Sequence, residues 1–342
     1  MISRKMVLKS LDIIWISKLL IREHLIPGQK RYFKMVKISY VCPIYNKKHY
    51  LKDVIYSIKN QVGEFEKEYI FIDDGSNDNS ISYLQKYTKN WRNIKILSQN
   101  NFGPAVATQR GIDVAKGDYI KLVGGDDIME PNCTKILIEA IIKSKSVAVF
   151  SRYKLLKTYK KIRYYNDDKL LNIKTLDNPI LATIKSNFSG TTPTLYEHGS
   201  IKTSGGCNKK VFIEDFSLAL GLSKFGSFTF IDNVTSYGPE DDENRIMNNK
   251  KTQLLHDYNA ALYYFIKEND KLDPVIKRAA CKKALGRSYN WYKRNKKKSF
   301  INMMLLLKIS LITGRRDYHK LIRKSCRFFY DKVEKGEIRN KV

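Results

Sequence analysis

The 342-residue chain carries 63 Lys and Arg against 34 Asp and Glu, a formal net charge of +29, and 43% of its residues are hydrophobic. That apolar fraction excludes a disordered polyelectrolyte and suffices for one large domain or two smaller ones, while the excess positive charge asks for an anionic partner: nucleic acid, phospholipid headgroups or polyphosphate. Five scattered cysteines without a C-x-x-C pair argue against a zinc site or disulfide framework and fit a reducing cytosol.

In chain order, residues 1–34 read as an amphipathic leader helix (Leu11, Ile14, Trp15, Ile16, Leu19, Leu20) ending near Pro27-Gly28. Met35 follows directly. Three readings stay open for this leader: a membrane-lying helix, a packing helix, or sequence upstream of the true start. No apolar run reaches the roughly 18–20 residues that span a bilayer.

From Lys37 the pattern alternates. Strands are predicted at Lys37–Cys42, Glu68–Asp73, Ile94–Leu97 and Tyr119–Val123, with helices at Tyr50–Gln61, Ser80–Thr88 and Pro104–Ala115. Near-continuous apolar runs are those of parallel strands covered on both faces, so the expectation is an α/β, doubly wound sheet. In such a sheet ligands bind beyond the carboxyl ends of the strands. The residues there are Pro43-Ile-Tyr-Asn46, Asp73-Asp-Gly-Ser-Asn-Asp78 and Gly124-Gly-Asp-Asp127: carboxylates, amides and an aromatic ring.

Taken alone, Asp73-Asp-Gly-Ser76 reads as a turn followed by a helix cap. A carboxylate there is also suited to accept the imide N–H of a uracil ring stacked on Tyr45. The Gly124-Gly-Asp-Asp127 stretch lets the chain bend and places two carboxylates together, a pair suited to a hard divalent ion shared with a diphosphate.

These segments, with Ser57-Ile-Lys-Asn-Gln61, Gly103-Pro-Ala105, Gly111-Ile112 and Ala115-Lys-Gly-Asp-Tyr-Ile120 in the same order, resemble the inverting glycosyltransferases of family 2. The resemblance spans about residues 37–240. It implies a GT-A fold, Rossmann-like with a doubly wound mixed sheet, and a nucleotide-sugar donor, expected to be UDP-linked. By position, Pro43, Tyr45, Asn46 and Asp74 would bind the nucleotide and Asp126 the ribose or metal. Asp127 would be the principal ligand of Mn²⁺ or Mg²⁺. Two positions depart from the family pattern: Gly124 stands where a further aspartate is usual, and Gln109 where asparagine is frequent.

Downstream, Gly205-Gly-Cys-Asn-Lys-Lys-Val-Phe-Ile-Glu-Asp-Phe216 resembles the acceptor-side element. Inversion needs a base opposite the departing diphosphate, and Asp215 matches that position with Glu214 beside it. The plain alternative is that the pair caps the apolar helix Phe216–Leu222. The acidic run Glu240–Glu243, followed by Arg245, reads as a loop.

The expected organisation is a leader (1–34), a GT-A domain (35–250, with a nucleotide half 35–130 and an acceptor half 131–250) and a basic helical C-terminal region (251–342). That last region interleaves Lys and Arg with Tyr289, Trp291 and Phe328-Phe-Tyr330, around an apolar stretch Met303–Leu311. Basic amphipathic helices of this kind suit an anionic membrane surface. The resulting expectation is a cytoplasmic enzyme, peripheral on the inner face of the cell membrane. It would extend a glycan or lipid-diphosphate-linked acceptor in surface-polysaccharide synthesis, with no nucleic acid partner. The rival readings are an inactive GT-A-like scaffold and a basic nucleic-acid-binding protein.

Overall fold

The computed structural model describes residues 21–23, 33–157, 172–186, 190–240, 251–294, 317–330 and 338–342. Its nucleus is the predicted alternation. Strand β3 (Lys37–Ile44) leads through α1 (Lys48–Lys59) to β4 (Glu66–Asp73), then α2 (Ser80–Thr88), β5 (Ile94–Ser98), α3 (Pro104–Val114) and β6 (Tyr119–Leu122). Helix α1 buries Leu51, Val54, Ile55 and Ile58, a spacing that puts all four on one face, against the sheet core that includes Ile38, Tyr40 and Phe71.

Strands β3, β4, β5 and β6 pair in parallel. The register sets Ile44 opposite Asp73 and Val41 opposite Leu122. Tyr45, Asp74 and Gly124 therefore leave the sheet along one edge, where β4 and β6 flank β3 on opposite sides. This is the point at which an open α/β sheet forms its crevice.

The second half continues through β7 (Ile128–Met129), α4 (Cys133–Ser144), β8 (Ala148–Leu156), β9 (Ile173–Leu176) and α5 (Pro179–Ser186). It then runs through β10 (Thr194–Glu197), α6 (His198–Ser204), α7 (Glu214–Leu222) and β11 (Phe228–Pro239). Among the described residues these strands join the first half in one nine-stranded sheet, ordered β5-β4-β3-β6-β10-β8-β11-β7 with β9 on β11. Strand β10 enters antiparallel between β6 and β8, and β8 pairs in parallel with β11. The start of β10 and the ends of β8 and β11 consequently reach the same edge as the ends of β3, β4 and β6.

Helices α8 (Lys251–Glu268), α9 (Pro274–Arg294) and α10 (Tyr318–Arg327) form the C-terminal region. Their core is continuous with the acceptor half: Leu262, Ala284 and Ile322 share one apolar cluster with Val211, Ile213 and Phe216. Fully buried Asn259 crosses all three helices, donating to Ala284 O, Ser288 Oγ and Ser325 Oγ and accepting from Arg287. The aromatic residues expected on a membrane face pack inward instead. Trp291 lies 5.6 Å from Phe329 and Tyr292 lies 5.3 Å from Phe328, ring to ring, with both phenylalanines buried. Met303–Leu311 lies outside the described residues, as does the acidic run beyond Glu240. Among the described residues no helix is long and apolar enough to cross a membrane.

One expectation is corrected. Ile21–Glu23, read as the continuation of the leader helix, is strand β1, paired antiparallel with β2 (Phe33–Met35). The helical period of the sequence Leu11–Leu20 does not carry into Ile21, which precedes a Pro-Gly pair whose turn chemistry favours chain reversal. Residues 1–20 and 24–32 lie outside the described residues.

Candidate active site

A cavity of about 920 Å³ opens along the carboxyl edge of the sheet. It is lined by Pro43, Tyr45, Asp74, Asp126 and Asp127 from the nucleotide half and by Glu214 and Asp215 from the acceptor half. The structure thus brings together every predicted site residue except Asn46. Asn46, at a φ of 52°, turns away and staples the neighbouring loop: its Oδ1 accepts from Asn77 N at 2.9 Å, and its own N–H donates to Ser76 Oγ at 2.9 Å.

Asp74 is held by three donors. Gln99 Nε2 and Phe102 N reach one oxygen at 2.8 and 2.9 Å, and Gly103 N reaches the other at 2.9 Å. The carboxylate therefore sets the 99–103 loop, which carries the cavity residues Asn101 and Gly103. Gln109 points to the acceptor side, accepting from Cys207 N at 2.7 Å and donating to Asp113 at 2.7 Å. Its longer amide ties the two halves together.

Asp127 is buried and fixed by hydroxyls from two other strand ends. Tyr153, on β8, donates to Oδ1 at 2.6 Å, and Thr192, just before β10, donates to Oδ2. Beneath them the fully buried Lys121 donates to the carbonyl of Thr192, and burial pushes its ammonium pKa down. Gly124 explains the departure from the family pattern. A Cβ at this position would lie 2.6 Å from Asp127 Oδ2, so the clamp on Asp127 and a side chain at 124 exclude each other. Asp126 meets Lys47, whose Nζ lies 2.6 Å from its Oδ2.

Asp126 and Asp127 supply hard oxygen donors, the set that Mg²⁺ and Mn²⁺ use when substrate phosphates complete the shell. A hydrogen bond takes one lone-pair site of about four on a carboxylate, so the clamp on Asp127 is compatible with coordination. Among the described residues no group of three or more His, Cys, Asp or Glu converges on a metal position. The pair fits an ion that arrives with a diphosphate.

In the acceptor half, Glu214 and Asp215 open α7 and line the cavity. Glu214 accepts from Thr191 Oγ1 at 3.0 Å, and Asp215 accepts from the N–H of Phe216 at 2.7 Å. Burial, with the Asp215 charge adding to it, pushes the Glu214 carboxyl up to about 8, and burial raises Asp215 as well. The segment entering them is anchored by α8: Asp257 accepts from Phe212 N at 2.6 Å and is itself held by Gln253 and His256. Leu254 and Tyr258 of α8 line the cavity as well.

Several of these contributors had no signal in the sequence. Tyr153 and Thr192 act across 26 and 65 residues of chain. Lys47 reads as one charge in a basic pair at a helix start. Arg339, near the C-terminus, donates to Asn101 at the cavity rim at 2.8 Å.

Residues 39–203 match the model of glycosyl transferase family 2. That match identifies a glycosyl transferase family 2 region within the chain. The chain is 36% identical over 117 residues to glycosyltransferase GlyG of Streptococcus pneumoniae serotype 4, covering 34% of this chain and 38% of that protein. It is 25% identical over 243 residues to the chondroitin synthase of Pasteurella multocida, covering 69% of this chain and 23% of the synthase. The chain thus spans well under half the length of these relatives.

Among solved structures it is similar to S. aureus TarS 1-349 in complex with UDP-GlcNAc, with a TM-score of 0.59 and 16% identity over 87% of this chain and 81% of that one. It is also similar to the mannosyltransferase PcManGT from Pyrobaculum calidifontis in complex with GDP-Man and Mn²⁺. There the TM-score is 0.51 and the identity 12%, covering 93% of this chain and 91% of that one. The fold is that of the GT-A glycosyltransferases.

Proposed function

We propose that the chain is an inverting, metal-assisted glycosyltransferase that moves one sugar from a nucleotide-sugar, UDP-linked, to a glycan acceptor in surface-polysaccharide synthesis. The observation that carries this reading is one cavity lined both by Asp126-Asp127 and by Glu214-Asp215. Single displacement uses two such sets in one cavity, one to hold the charged leaving group and one to supply the base.

Pro43 and Tyr45 would receive the base, with Asp74 holding the loop that borders it. Mn²⁺ or Mg²⁺ would be held by Asp127 and Asp126 together with phosphate oxygens, and supplies neutralisation of the leaving diphosphate. Asp215 takes the proton of the acceptor hydroxyl. The hydroxyl oxygen forms its bond to the anomeric carbon as the bond to the diphosphate breaks, and the configuration at that carbon inverts. The raised pKa of Asp215 strengthens it as a base. Its neighbour Glu214, held up to about 8, keeps a proton at neutral pH and so adds no second full charge beside it.

A lipid-diphosphate-linked acceptor at the inner face of the cell membrane is the setting we infer from the charge of +29. With the aromatic residues of α9 and of the segment after α10 packed inward, attachment would be electrostatic. The test is a panel of nucleotide-sugars offered with Mn²⁺ and a lipid-diphosphate acceptor, with product configuration read by NMR. An inverted product supports the reading; a retained configuration removes the single-displacement mechanism.

A further inference from the structure

Lys47 is 5% exposed, yet it lines the cavity beside Asp126 and Asp127. Its seat is built. The backbone N–H of Lys47 donates to Ser80 Oγ at 2.9 Å at the entry to α1, which fixes where the side chain starts. The ring of Tyr50 lies 5.6 Å from Nζ. Gly125 makes room for the stem: a Cβ there would stand 3.1 Å from Lys47 Cγ and 3.1 Å from Pro43 O.

An ammonium carries three N–H donors. Among the described residues Asp126 is the acceptor it reaches, at 2.6 Å. A buried cation bonded to one carboxylate retains two donors, and desolvation makes each more valuable to an incoming anion. The ammonium stands on the same wall as the carboxylate pair suited to an ion that arrives with a diphosphate. A lysine held there by its backbone, by a glycine cleared for its stem and by an ion pair is a fixed charge rather than a solvated one.

We propose that Lys47 is a resident cation of the diphosphate subsite, bonding Asp126 and, in the donor complex, a phosphate oxygen. The diphosphate is then partly neutralised before any divalent ion binds, and the ion adds to an affinity that already exists. This inference rests on the nucleotide-sugar reading above.

Calorimetric titration of the full chain with UDP, GDP and dTDP, in EDTA and in Mn²⁺, tests it. At least one diphosphate should bind the wild type in EDTA, within about tenfold of its Kd in Mn²⁺. Lys47→Met should weaken binding in EDTA by about tenfold or more while changing it less in Mn²⁺, and Lys47→Arg should restore most of the loss. The monophosphate of the same nucleoside should be much less sensitive to Lys47→Met. A wild type that binds a diphosphate in Mn²⁺ but not in EDTA overturns the role of Lys47 and leaves the donor reading standing; so does Lys47→Met with unchanged affinity in EDTA. Binding of none of the three in either buffer overturns both.

Discussion

The hydroxyl of Tyr153 lies 2.6 Å from Asp127 Oδ1, joining the end of β8 to the loop that follows β6. With Thr192 on the other oxygen, the carboxylate is oriented by two elements distant from it in sequence. Tyr153→Phe should therefore leave Asp127 less well placed, weakening Mn²⁺-dependent UDP binding by about three- to tenfold. Asp127→Ala should abolish the Mn²⁺-dependent component. Calorimetry on both variants checks the order; equal, wild-type affinities would remove Asp127 from the metal site.

Asp215→Asn separates binding from chemistry. The amide keeps the size of the side chain but is a poor proton acceptor, so donor affinity should stay near wild type while kcat falls by about 10²–10⁴-fold. Single-turnover kinetics measures this without interference from product release. A fully active Asp215→Asn would assign the base elsewhere.

The raised carboxyl of Glu214 makes stability depend on pH with a definite sign. Its folded pKa, about 8, lies above the ordinary carboxylate range of the unfolded chain, so the folded state binds the proton more tightly. The contribution is complete below the unfolded pKa and is lost as pH rises through about 8. Glu214→Gln mimics the protonated form. Its Tm relative to wild type should increase steadily with pH up to the region of the folded pKa and just beyond, measured by calorimetric or fluorescence melting. A difference that does not change with pH would mean that Glu214 is ionised throughout.

Asn259 sets the C-terminal helices against one another through four hydrogen bonds. Asn259→Ala strands buried partners and should cost about 2–4 kcal/mol in urea unfolding. Because α8 also carries Asp257, which anchors the segment leading into Glu214-Asp215, the same variant should lower transfer activity. Loss of stability with unimpaired transfer would show that the bundle and the site are uncoupled.

Membrane attachment through charge alone predicts that the chain sediments with phosphatidylglycerol vesicles at low salt and leaves them as ionic strength rises to about 0.5 M. Persistent binding at that salt would point to an apolar contribution, and indifference to the vesicles at low salt would remove the membrane from the account.

The first half of the sheet was legible because its chemistry is local. Runs such as Glu68-Tyr-Ile-Phe-Ile-Asp73 declare a buried strand by themselves, and the polar residues after each strand point to the crevice they share. The strands differ from the expected limits only at their ends, as where β3 continues through Pro43 to Ile44. Asp126 and Asp127 were legible for the same reason. The setting of that pair was not, since Lys47 reaches it through the pairing of β3 with β6, and Tyr153 and Thr192 through the insertion of β10 antiparallel between β6 and β8. No periodicity announces a partner 65 residues away. The basic helices misled in a different way: Trp291 and Phe328 sit among lysines in sequence, yet in the bundle they face the core.

The central claim is that this cavity consumes a nucleotide-sugar. The most direct measurement is release of nucleoside diphosphate from a panel of UDP-, GDP- and dTDP-sugars in the presence of Mn²⁺, for the wild type and Asp215→Asn in parallel. The account predicts release from a UDP-sugar by the wild type, and its loss in a variant that still binds UDP. Failure of the wild type to bind or consume any nucleotide-sugar, alongside salt-sensitive binding to oligonucleotides, would contradict it.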